Sequence, residues 1–132
     1  MKKYLLLLLV LTSNSIFAEG SVKGDLWIWE ENSKAHTFSI RLLKGDNGYS
    51  GTYCAVGASG NRMDCSPQKY AKWFNFTEDN PSFTFTTNRD RKKGKAKLTK
   101  QNNKWVWELI EPPKGEHYAP KKAVLKKYIK KS

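Results

Sequence analysis

Histidine and cysteine are nearly missing from this chain, with two of each in 132 residues. That scarcity excludes most zinc and thiol chemistry, because no histidine pair falls at metal-ligand spacing. His36 opens a strand-like segment, and His117 lies in the loop-like stretch PPKGEHYAP. The serine of GASG, Ser59, lacks the G-x-S-x-G spacing of a nucleophile elbow. No glycine-rich loop of the phosphate-cradling kind is present either. Glu30-Glu31 and Glu78-Asp79 sit beside turns at strand ends, where neighbouring side chains point to opposite faces and do not converge on one bond. Glu116-His117 is the one acid–histidine pair that stands between prolines. The residues therefore call for no metal and no cofactor, and the chain reads as a non-enzyme.

Long apolar runs are also absent once the first residues are passed. MKKYLLLLLVLTSNSIFA pairs Lys2 and Lys3 with an apolar stretch from Tyr4 to Leu11 and a small residue, Ala18. This is the pattern of a cleaved signal peptide over 1–18, too short to span a bilayer. It leaves a single domain over 19–132 with no transmembrane segment. The expected address is exported, periplasmic in a Gram-negative bacterium and otherwise secreted. In such a compartment Cys54 and Cys65 read as one disulfide. Ten intervening residues are far from the C-x-x-C spacing of a redox motif.

Acidic residues are scarce in one half only. Residues 19–88 carry seven basic and eight acidic side chains, whereas 89–132 carry fifteen basic and four acidic. The whole positive excess sits in the C-terminal third, the strongest sequence sign of an interaction surface.

What remains is rich in strand signals. DLWIWE (25–30), HTFSIRLL (36–43), KWFNFT (72–77), SFTFTTN (82–88) and KWVWELI (104–110) combine aromatic and β-branched residues. Asn47-Gly48 suits a two-residue hairpin turn into YSGTYCAV, EDNP is a further turn, and QNN separates KGKAKLTK from KWVWELI. Turns recurring at this spacing predict an all-β domain, a small antiparallel barrel or two-sheet sandwich of about seven or eight strands. The tail PKKAVLKKYIKK (120–131) places Val124, Leu125, Tyr128 and Ile129 on one side of a helical wheel. With Pro120 at the first position, it predicts a short amphipathic basic helix, the alternative being a lysine-blunted edge strand.

Trp105 and Trp107 share a face with Leu109, which predicts core; Trp27 and Trp29 oppose Leu26 and Ile28, so one of those two faces needs another cover. Two candidate contact surfaces follow. The first is the disulfide loop, where Gly57, Ser59, Gly60, Asn61 and Arg62 would form a stiffened tip. The second is basic: Lys93, Lys95 and Lys97 share one strand face, and Lys122 and Lys126 would extend it from the tail. Lysine rather than arginine dominates, and aromatics are sparse among the lysines, so nucleic acid is not the expected ligand. No stretch matches a family motif. In size, address and class the chain resembles periplasmic lysozyme inhibitors and immunity proteins. That resemblance implies a binding protein that neutralises a cell-envelope-acting partner. The positive balance implies that such a partner presents an acidic surface, or alternatively that the ligand is an anionic envelope polysaccharide or lipid head group.

Overall fold

A computed structural model describes residues 24–30, 36–57, 61–67 and 72–130. The segment 1–18 read as a signal peptide lies outside the described residues, as do Ser59 and Gly60 at the centre of the predicted tip. Every helix or strand among the described residues is a strand: β1 (Asp25–Glu30), β2 (Thr37–Lys44), β3 (Tyr49–Gly57), β4 (Arg62–Cys65), β5 (Phe74–Phe76), β6 (Ser82–Thr86), β7 (Lys93–Gln101), β8 (Lys104–Glu111) and β9 (Lys122–Lys127). The domain is all-β. Its strands form one antiparallel sheet in the order β4-β3-β2-β1-β9-β8-β7-β6, curled into a half-barrel, with β5 also paired to β3.

The predicted C-terminal helix is not there; the tail forms β9 instead. Nor is β9 an edge strand, because it pairs with β8 from Lys104↔Lys126 to Glu108↔Lys122 and with β1 at Trp27↔Lys127 and Ile28↔Lys126. The apolar residues of KKAVLKK fit a period of two as well as one of 3.6. Ala123 and Leu125 point into the core, while Lys122, Val124 and Lys126 point out. A helix would satisfy its own backbone but leave the facing edges of β1 and β8 open. One strand closes both edges, and that tertiary gain overrides the local helical pattern.

The concave face of the sheet holds the core. Phe38, Ile40, Phe85, Leu98, Trp107 and Leu125 are all at most 2% exposed. Trp107 touches Phe38 of β2 at a ring separation of 4.7 Å and Phe85 of β6 at 5.5 Å, so one indole spans the two halves of the chain. Trp27 and Trp105 are buried edge to face at 6.4 Å, and Trp29 packs half-buried against the same cluster. Burying side chains of this size contributes about 1.5–3 kcal/mol each.

The half-barrel fails to close between β5 and β6. The EDNP turn brings these strands together, yet β5 ladders with β3 and β6 with β7. Gly51 explains the capture of β5. A Cβ at that position would lie 2.9 Å from Phe74 Cζ, so only a glycine lets the Phe74 ring settle over β3. Across the seam, Phe74 and Phe83 stack at 4.4 Å with an interplanar angle of 11°. Rings, rather than a hydrogen-bonded ladder, hold the two edges together.

Candidate functional site

Three surfaces gather the polar groups that the fold does not need for its own ladders. The first is the end of the half-barrel that carries the disulfide hairpin. Cys54 and Cys65 lie directly opposite each other on β3 and β4, bonded, with a Cα–Cα distance of 4.0 Å. Gly57, the last residue of β3, is buried beside His36 and Tyr118, so it is not solvent-facing. Asn61 and Arg62 are exposed. The Arg62 guanidinium donates to the Glu116 carboxylate, and Arg89 Nε lies 3.9 Å from the same group. The Tyr118 hydroxyl, with Arg62 and Arg89, holds the Glu116 carboxyl below the ordinary carboxylate value. The acid–histidine pair singled out in the sequence thus has its acid engaged by two arginines.

Beneath this ion pair runs a buried network that sequence patterning did not signal. Asp64, 3% exposed, accepts from the Tyr53 hydroxyl and from the Arg89 backbone N–H at 2.8 Å. The same hydroxyl accepts from the Asn88 N–H at 3.2 Å. Burial, followed by the Asp64 carboxylate, pushes the Tyr53 phenol well above its ordinary value. A buried carboxylate is tolerated only with such donors. Here they fasten the disulfide hairpin to the turn between β6 and β7. The sequence clue was faint: an aspartate and a tyrosine on facing strands, each at an inward position of its alternation.

The second surface is the convex face of β7, β8 and β9. Lys93, Lys95 and Lys97 alternate outward along β7, and Lys122 and Lys126 do so along β9. These two rows are not neighbours. Strand β8 lies between them and places Glu108 opposite both Lys97 and Lys122, and Glu111 opposite Lys95. Two of the four acidic residues in the basic third of the chain therefore punctuate the lysine field. Its centre is apolar: Val106 faces Val124 across the ladder, and Ile28 flanks Lys126. Val124, Ile110 and Tyr128 stand 43%, 47% and 55% exposed. The face opposite Trp27 and Trp29, which needed a cover, is partly supplied by this region. Ile28 and Val124 line one small hollow there with Trp29 and Lys126.

The third surface is a cleft of about 960 Å³ along the open seam between β5 and β6. Its walls are amide, hydroxyl and ammonium side chains, and Phe74 and Phe83 form its floor. Among the described residues no cluster of three or more His, Cys, Asp or Glu is placed to hold a metal ion. No helix among them is long and apolar enough to cross a membrane. No family model, curated protein or solved structure matches the chain.

Proposed function

We propose that the chain is an exported, non-enzymatic binding protein of the inhibitor or immunity type, which engages an acidic protein partner through the convex face of β7, β8 and β9. The observation that carries this reading is the pattern of that face. Exposed Val124, Ile110 and Tyr128 sit among Lys95, Lys97, Lys122 and Lys126, with Glu108 and Glu111 set between the lysine rows. Protein interfaces combine an apolar centre with a charged rim. A polyanion gains most from an uninterrupted positive field, and carboxylates inside that field work against it. The disulfide-stapled hairpin, with Arg62 at its exposed edge, supplies a second contact of low ordering cost. The Cys54–Cys65 bond fits an oxidising compartment.

The test is a binding series on proteins of the exported fraction, with wild-type chain immobilised and retained partners measured by surface plasmon resonance. Lys97→Glu and Val124→Asp are each expected to weaken a genuine partner by at least about tenfold, and binding is expected to survive ~0.5 M salt. Binding that Val124→Asp leaves unchanged and that disappears at this salt concentration points to the polyanion reading instead.

A further inference from the structure

The open seam has the chemistry of a ligand site that borders the convex face and shares Lys95 with it. Two cross-strand pairs confront each other across it: Ser50 with Asn75 on β3 and β5, and Thr84 with Lys95 on β6 and β7. Lys72 and Trp73 complete the rim. Among the described residues, the side chains of Ser50, Asn75, Thr84 and Lys95 have no hydrogen bond to other protein groups. No carboxylate lines the cleft.

The backbone adds to this supply. Thr87 turns its N–H toward Lys92 on the β7 side, whereas the Thr86 carbonyl accepts from the Trp73 indole across the seam at 2.7 Å. Backbone groups alternate direction along a strand, so Thr84 also turns its N–H and C=O toward the seam. At Thr86 the indole satisfies the edge; at Thr84 the ladder offers nothing. An inserted peptide strand is not the occupant. Cα atoms of β5 and β6 approach within 8 Å of one another, whereas a strand between them needs about 10 Å of backbone separation. Hydroxyl, amide and edge-backbone groups arrayed along a slot match a polyhydroxylated ligand, and the Lys72 and Lys95 ammonium groups, with no carboxylate beside them in the cleft lining, select carboxylates on it.

We infer that the seam cleft binds a short acidic oligosaccharide, a run of sugars bearing uronic-acid carboxylates. Asn75 and the Thr84 backbone bond its hydroxyls, Lys95 and Lys72 pair with its carboxylates, and Trp73 borders a sugar ring.

The probe is tetragalacturonate, titrated into the full chain by calorimetry and by amide chemical-shift mapping, with cellotetraose as the neutral control. Saturable binding with a Kd below about 1 mM is expected, centred on the Thr84 and Asn75 amides. Asn75→Ala and Lys95→Ala each weaken it by at least about fivefold, while Lys130→Ala, beyond the end of β9 and with β8 and β7 between that strand and β6, leaves it unchanged. Both test positions are exposed, so the variants keep the wild-type thermal midpoint. Three results overturn the proposal: no saturation at about 10 mM, shifts centred on Lys97 and Lys122, or equal losses from Lys130→Ala. Cellotetraose binding as tightly as tetragalacturonate overturns the assignment of an acidic ligand.

Discussion

The Trp107 indole donates its N–H to the Pro120 carbonyl at 2.9 Å, tying the middle of β8 to the chain just before β9 begins. The Leu109 backbone N–H donates to the Lys121 carbonyl at 2.8 Å beside it. One side chain therefore both fills the core and fixes where the C-terminal strand enters the sheet.

Replacing that indole separates its two roles. Trp107→Phe keeps an aromatic ring against Phe38 and Phe85 but removes the donor, an expected loss of about 1 kcal/mol for the bond before any repacking. Trp107→Ala empties the middle of the core and is expected to cost about 3–5 kcal/mol. Urea unfolding followed by circular dichroism measures both, and equal losses in the two variants would refute the split.

Tyr53 predicts an alkaline limit to stability. An unfolded tyrosine loses its proton near its ordinary pKa of 10.0, whereas the folded phenol, buried and bonded to Asp64, holds its proton to higher pH. Once the pH passes 10, the unfolded state binds fewer protons than the folded one, so stability falls as pH rises. The thermal midpoint should drop above pH 10, and drop less steeply in Tyr53→Phe. Some slope persists in that variant because burial also raises the Tyr49 phenol. At neutral pH Tyr53→Phe leaves the buried Asp64 one donor short, at a cost of about 1–3 kcal/mol.

The disulfide should stabilise the domain without defining it. Its two cysteines occupy paired positions of an existing ladder, so the double variant Cys54→Ser, Cys65→Ser should keep the β-sheet spectrum. In the chain-entropy account a ring of this size contributes about 2.5–3 kcal/mol, which the variant should lose in chemical denaturation. A variant that fails to fold at all would contradict this.

Gly51 is expected to be intolerant of any side chain. A Cβ there meets the Arg41 carbonyl at 2.7 Å and Phe74 Cζ at 2.9 Å. Gly51→Val must displace β5, at a cost of about 1–3 kcal/mol or more. Loss of the Trp73 to Thr86 hydrogen bond, read from indole N–H exchange, should accompany it.

The strands of each local meander were legible because alternation and turn chemistry act within a few residues. Asn47-Gly48 turns β2 into β3, and Pro112-Pro113 follow β8 directly. The tail was not legible, because Val124, Leu125 and Tyr128 fit the helical period while Ala123 and Leu125 fit the strand period, and the choice is made by the open edges of β1 and β8. For the same reason the EDNP turn joins β5 and β6 without pairing them: Gly51, more than twenty residues earlier, offers β5 a better partner. The lysine rows were visible in the sequence, but Glu108 and Glu111 looked like part of a separate strand. Only the β7-β8-β9 order sets them among the lysines. The seam cleft had no sequence signature, since it arises from a ladder that does not form.

The pairing of β1 with β9 joins Trp27 to Lys127, one hundred residues apart, and Tyr128 N–H reaches the Leu26 carbonyl at 2.8 Å. This closure has a high loop cost, and native topology of that kind makes for slow folding. Asp25 and Lys127 also sit side by side, 3.6 Å apart between charged groups. A circular permutant that links these two ends with a short linker, and opens the chain at the 77–81 turn, turns the most distant strand pair into a hairpin. The same sheet would then assemble from neighbours outward, and its refolding rate would rise while its contacts stayed the same.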